Sequence, residues 1–192
     1  MFKNIMFKNL VLTLLLTLAT NAMAEGFYLS SSDIQGQIAD DQVFNSFGCT
    51  GKNISPQLSW KNAPAGTKSF AITAYDPDAP TGSGWWHWLV FNIDKSVNNL
   101  KTGASGQYVN KQDTNDQLMP AGAIESTTSY GSTGFGGACP PIGDKPHRYI
   151  FTVYALNTEK IDQAADARPE LIGFFLNSHV IAKASIMAYY GR

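Results

Sequence analysis

Three long runs of β-branched and aromatic residues limit what this chain can fold into. SFAITAYD (residues 69–76) places Phe70, Ile72 and Ala74 on one face by simple alternation and ends on Asp76. HWLVFNI (residues 87–93) is apolar on both faces, the composition of a strand enclosed between two layers. HRYIFTVYAL (residues 147–156) is the third run, and VIAKASIMAYY (residues 180–190) alternates well enough to be a last strand. Just before that last strand, RPELIGFFLNSH (residues 168–179) has Pro169 near a first turn and Glu170 at the positive end of the helix dipole. Its Leu171, Phe174 and Phe175 stand at helical spacing. Residues 98–146 are rich in Gly, Ser, Thr, Asn and Pro and predict long ordered loops with one short strand. The pattern predicts a mainly β fold: one antiparallel β-sandwich with one or two peripheral helices.

The first two dozen residues stand apart from that pattern. Lys3 and Lys8 precede the apolar run of residues 10–19, and Ala22-Met23-Ala24 has the small-x-small form that signal peptidase reads. The run is too short to suit a membrane anchor, and no Cys follows it as in a lipoprotein. Residues 1–24 are therefore expected to be a secretory signal peptide, with cleavage after Ala24 and a periplasmic or secreted product. Removing 24 of 192 residues leaves 168, the size of one domain over residues 25–192.

Cleavage removes two lysines and no acid, so 14 basic side chains become 12 against 15 acidic ones, a formal charge of −3. No basic stripe suits a nucleic acid, and that class of partner is set aside. In an exported chain, Cys49 and Cys139 predict a disulfide, since neither has a Cys or His neighbour at metal-ligand spacing. Closing so long a loop stabilises a fold by about 2–4 kcal/mol.

Side-chain parity then gathers the chemistry. If the first two strands pair antiparallel, Asp76 and His87 become neighbours joined by residues 77–86. His147 and Tyr149 lie two apart and share a face at the start of the third strand. If that strand also runs antiparallel to the first, Asp76, His87, His147 and Tyr149 meet at one edge. Two imidazoles, a phenol and a carboxylate hold an anion when the histidines are protonated or donate N–H groups. A neighbouring carboxylate favours the charged imidazole and fixes its tautomer. GSTGFGGACPP (residues 131–141) is expected to bring backbone N–H groups to the same place. Phosphate or a phosphate monoester is the guest this chemistry suits.

DPDAP (residues 76–80), WWHW (85–88) and PPIGDKPHRY (140–149), in that order, resemble the phosphatidylethanolamine-binding protein family, in its bacterial Raf-kinase-inhibitor-like branch. NISPQLSW (residues 53–60) resembles that branch's N-terminal region, so the similarity runs over essentially all of residues 25–192. The resemblance implies an antiparallel β-sandwich with a small anion pocket at one end. Carried over by position, the ligand-binding residues are Asp76, His87, Pro140, Pro141, His147 and Tyr149, with Trp85 and Asp78 in the wall. Asp76 is expected to orient His87 or His147, the histidines and Tyr149 to donate to the anion, and Pro140-Pro141 to shape the rim. Arg148 matches the family's basic neighbour of the second histidine and is expected to brace the loop. The implied guest is a phosphate-bearing small molecule or phospholipid headgroup. Family members also act as interaction or inhibitor modules, which makes a protease or signalling protein the second class of partner. Lys145-Pro146 departs from the Gly of many eukaryotic members. The sequence ending at Arg192 leaves no counterpart of the C-terminal helix in animal members. Both departures weigh against those members' phospholipid and kinase-binding roles.

Plainer readings accompany these. Asp76 and Asp78 can cap a turn, because Asp before Pro starts turns. Alternation puts Trp86 and Trp88 behind the His87 face, as packing residues. His179 reads as a helix C-terminal cap or surface residue, and Asn53-Ile54-Ser55 is a glycosylation sequon in form. Ser83 lies between glycines without a nucleophile elbow. No cofactor or metal is implied. The alternative function is a secreted hydrolase or metal-dependent phosphoesterase using Asp76, His87 and His147.

Overall fold

A strand with one apolar face needs a second layer to cover it, and the chain supplies that layer twice, once with a small sheet and once with a helix. The computed structural model describes residues 26–105 and 118–192; the expected signal peptide lies outside them. Along the chain run β1 (Tyr28–Ser30), β2 (Leu58–Lys61), β3 (Ser69–Asp76), β4 (Trp85–Asp94), β5 (Asn99–Leu100) and β6 (Ile124–Glu125). β7 (His147–Leu156), α1 (Pro169–His179) and β8 (Val180–Tyr190) follow. A five-stranded sheet has the order β6-β4-β3-β7-β8, and a three-stranded sheet the order β1-β2-β5. All of these pairings are antiparallel. The fold is thus the expected mainly β sandwich, with one α-helix and a single 3-10 turn, Asp40–Gln42, among the described residues. Residues 98–146 hold two short strands among the described residues where one was expected.

The five-stranded sheet is buried on both faces. Phe70, Ile72, Trp88, Phe151 and Val153 join Leu58 and Trp60 of the small sheet in the larger apolar cluster. Ala71, Leu89 and Phe91 join Ile172 and Leu176 of α1 in the other. This explains why residues 87–93 are apolar at nearly every position. α1 begins with Pro169 at its first turn and ends on His179, which is half-buried and 3.2 Å from the Asn157 side chain. Its buried face is Pro169, Ile172 and Leu176, while Leu171 and Phe174 point outward. The expected stripe is therefore rotated by about one position, because the sheet takes the i, i+3, i+7 row that begins at Pro169.

The sequon at Asn53 is fully buried. Its amide accepts from Gly137 N–H and donates to the Phe135 carbonyl, so in the folded chain it is a loop staple.

Core position and surface position on α1 separate cleanly in a stability measurement. Ile172→Ala is expected to cost about 2–5 kcal/mol in urea denaturation, and Phe174→Ala about 0.5 kcal/mol or less. Equal costs for the two would show that α1 packs through the other face.

Candidate functional site

Asp76 is the last residue of β3 and pairs across the sheet with Trp85, the first of β4. β7 runs antiparallel on the other side of β3 and opens with His147 and Tyr149. The sheet edge where β3 ends is therefore where β4 and β7 begin. Even positions of β3 and odd positions of β7 face the inter-sheet core, which puts Asp76, His147 and Tyr149 on one side.

His87 reaches that side by a different route. Ala74 pairs with Trp88 and Tyr75 with Trp86, so one step along β3 spans two along β4 and His87 is the extra residue of a bulge. Simple alternation would place His87 with Leu89 and Phe91, against the helix. The bulge instead re-phases the strand: Trp88 and Val90 continue on the core side, where Tyr149 meets His87 with ring centroids 5.1 Å apart. This corrects the expectation that Trp86 and Trp88 both lie behind His87. Trp86 packs on the helix side beside Tyr75, whereas Trp88 is in the inter-sheet core, its indole N–H donating to Glu125 at 2.7 Å.

Asp76, His87, Trp85, His147, Tyr149, Pro140 and Pro141 line one cavity of about 210 Å³. Phe47, Tyr130, Cys139 and residues 79–81 complete it. Tyr130 belongs to the site although none of the sequence motifs marks it. It is the one aromatic in a run of small residues (TTSYGSTG), which is the only local signal that could have marked it. In the structure it packs edge-on against Trp85 and His87 and donates to the Gly137 carbonyl at 2.8 Å. Gly136 has to be glycine, because a Cβ there would overlap the Tyr130 ring.

Asp76 divides its carboxylate. Oδ2 accepts from His147 Nδ1 at 2.7 Å, and Oδ1 accepts from the backbone N–H groups of Asp78 and Ala79 at 2.8 and 3.2 Å. It caps the D-P-D-A-P turn and orients a histidine at once, and that histidine is His147. The other nitrogen of His147, Nε2, is 3.4 Å from Asp144. His87 is held chiefly by the backbone: its Nδ1 donates to the Gly136 carbonyl at 2.7 Å, with the Tyr130 hydroxyl 3.5 Å from the same nitrogen. The glycine-rich loop thus turns carbonyls toward the histidine, not the expected N–H groups. Gly136 N–H is bonded to the His87 carbonyl and Gly137 N–H to Asn53. Burial pushes the His87 pKa down to about 4, with the Gly136 carbonyl and Asp76 pulling partly the other way. Burial above all, then Asp76, drives the Tyr149 phenol well above the ordinary tyrosine range, so it stays protonated.

Asp78 is not in the wall. Its carboxylate accepts from Arg148 at Nε (2.8 Å), Nη2 (2.7 Å) and the backbone N–H (2.9 Å), outside the cavity. Arg148 braces the turn against β7, as expected. Lys145 also lies outside, in an open groove with Asp78, Asp144 and Arg148. The cavity rim is strapped twice. Cys49 and Cys139 are disulfide-bonded, and Arg192 donates to the carbonyls of Pro140 (2.6 Å), Gly48 (2.8 Å) and Phe47 (3.3 Å). Among the described residues, no three His, Cys, Asp or Glu side chains stand together to hold a metal ion, and no helix is long and apolar enough to cross a membrane.

Residues 34–191 match the model of the phosphatidylethanolamine-binding protein family, and the chain belongs to that family. Among its relatives, the UPF0098 protein YbcL of Escherichia coli is 46% identical over 183 residues, covering 94% of this chain and 96% of that one. YbhB of the same organism is 45% identical over 164 residues, covering 84% and 98%. The crystal structure of E. coli YbcL, described as a new member of the mammalian PEBP family, superposes with a TM-score of 0.80 over 88% of this chain and 99% of that one. A putative homologue from Chlamydia trachomatis, 28% identical, gives 0.67 over 87% and 98%.

The Asp78–Arg148 bridge carries a pH signature. The hydrogen bonds from Arg148 pull the Asp78 carboxyl down to about 2. A carboxyl depressed in the folded state contributes stability that is complete above its unfolded pKa, near 4, and is lost as pH falls toward 2. The pair is partly exposed, so Asp78→Asn is expected to cost at most about 1 kcal/mol at pH 7. It should also flatten the stability profile between pH 4 and 2. An unchanged acid limb would mean that the bridge does not form in solution.

Proposed function

We propose that this chain is an exported binding module whose pocket takes a small phosphate-type oxyanion, free or as part of a phosphate-bearing molecule. One observation carries the reading. Three residues that line the cavity, His87, Tyr149 and Trp85, each carry a buried polar atom (Nε2, Oη and Nε1) with no hydrogen-bond partner among the described residues. Leaving such a group unpaired costs about 1–3 kcal/mol, and a guest that bonds all three removes that cost. The small cavity favours a compact headgroup over a drug-sized molecule. The family name, and the description of YbcL as a PEBP family member, point the same way. Tyr149 and Trp85 would donate to the anion while Asp76 fixes His147 beside it.

Calorimetry near pH 6 with phosphate, O-phosphorylethanolamine and acetate tests this. Phosphate is expected to bind, and Tyr149→Phe to weaken it about tenfold or more, the usual worth of a hydrogen bond to a charged group. No heat from any of the three, or phosphate heat unchanged in His87→Ala, defeats the reading. Turnover of a phosphoester that His147→Ala abolishes would favour the hydrolase alternative instead.

A second reading, docking of a protein partner at the rim, is favoured by two side chains beside the pocket loop: Phe47 is 64% exposed and Ile142 80% exposed. Partner capture lost in Phe47→Ser but kept in Phe174→Ser would place the partner there.

Export is part of the proposal and rests on the residue 1–24 signal. Protein recovered from the exported fraction should begin at Glu25 and present no free thiol; a product that retains residues 1–24 in the cytoplasm refutes it.

A further inference from the structure

Building on the oxyanion reading, we infer that the guest must itself bring a proton. The pocket accepts an oxyacid with one ionised oxygen and one O–H, and that O–H donates to His87 Nε2. Phosphate or a phosphomonoester as its monoanion fits; a phosphodiester or a sulfate ester of the same charge does not.

The polarity follows from hydrogen-bond bookkeeping. A backbone carbonyl can only accept, so the 2.7 Å contact between His87 Nδ1 and the Gly136 oxygen puts the hydrogen on Nδ1. A neutral imidazole has one N–H, which leaves Nε2 as a bare lone pair, buried and unpartnered. Trp85 Nε1 can only donate, and Tyr149 Oη is a protonated phenol. The unpaired atoms of these lining residues are therefore two donors and one obligate acceptor. An anion with no hydrogen satisfies the donors and leaves Nε2 facing an oxygen lone pair.

Charging His87 instead is the alternative, and its surroundings resist it. The groups that face the ring are Asp76 from β3, His147 and Tyr149 from β7, and Tyr130 with the Gly136 and Gly137 carbonyls from the loop. Of these Asp76 alone is an anion, and its two oxygens are already occupied by His147 and the turn. Desolvation dominates and pushes the His87 pKa down to about 4, which favours the neutral ring. None of the described residues lining the cavity is Lys or Arg, because Arg148 and Arg192 are engaged outside it. A dianion would enter without a fixed positive charge to meet it.

Methyl phosphate and methyl sulfate at pH 5 make the test, since both are singly charged and nearly the same shape and only methyl phosphate has an O–H. Calorimetry with the purified protein is expected to give at least about tenfold tighter binding of methyl phosphate, the consequence of one unpaired buried acceptor. Dimethyl phosphate, which has the diester of a phospholipid headgroup, should bind as weakly as methyl sulfate. Inorganic phosphate should bind like the monoester, which separates a free-ion or monoester source from a lipid diester. Between pH 5 and 8 methyl phosphate loses its proton near pH 6, so its affinity should fall and binding at pH 8 should take up a proton. Methyl sulfate should show neither effect over that range. In His87→Gln, whose amide can turn an N–H toward the guest, the gap between the two esters should narrow.

Equal binding of methyl phosphate and methyl sulfate, or dimethyl phosphate binding as tightly as the monoester, overturns this inference and leaves the oxyanion reading standing. A gap that persists undiminished in a folded His87→Gln overturns the assignment to His87. Failure of both phosphate and methyl phosphate to bind at any pH overturns the oxyanion reading and this inference together. The ester and pH arms use the wild-type protein, so they decide the matter even if the variant does not fold.

Discussion

The carboxylate of Asp76 lies where three parts of the molecule have to meet: the end of β3, the turn that leads to β4, and the start of β7. One of its oxygens closes the turn and the other holds His147, so the turn's shape and the histidine's orientation are fixed by one group. The nearly complete burial of Asp76 makes this consequential, since a buried carboxylate is tolerable only when its hydrogen bonds are made. On the outside of the same turn Asp78 and Arg148 repeat the connection in a more hydrated setting. The two aspartates of D-P-D-A-P thus tie the same two segments together from opposite sides, and the one facing inward also shapes the pocket.

The strands that the sequence made legible are those long enough to show their period. β3, β7 and β8 fall where the apolar runs fall, and β4 begins two residues before its run because Trp85 and Trp86 extend the pairing to Asp76. β1, β2 and β5 are two to four residues long, too short for alternation to rise above the surrounding loop, so the second sheet was not visible as strands. The positions of Asp76, His147 and Tyr149 on one face followed from parity. That of His87 did not, because a bulge is a backbone event with no side-chain signature in WWHW. Tyr130 and Arg192 could not be placed either, since each meets its partners, Trp85 and His87 for Tyr130 and Pro140 for Arg192, far along the chain.

The site also shows where the fold accepts local cost. Among the described residues, His87, Tyr149 and Trp85 each keep a buried polar atom without a partner. A region that carries such atoms must be held by others, and the surrounding chain is tied accordingly, through Asn53 to the glycine loop and through Arg192 to the rim. In the proposed binding role this is preorganisation: the polar atoms are positioned before the guest arrives, and less ordering remains to be done on binding.

The bond between Cys49 and Cys139 has a mechanical consequence. It joins residues 90 apart and makes a closed ring of the segment that contains β2 to β6. A pull applied to the two ends of the chain passes through the sulfur bridge and leaves that ring without tension. β7, α1 and β8 lie outside the ring and take the load. The pocket is built across this boundary, with Asp76, Trp85 and His87 on the shielded segment and His147 and Tyr149 on the loaded one. Force would therefore split the pocket between its two histidines, peeling one wall away while the other kept its shape.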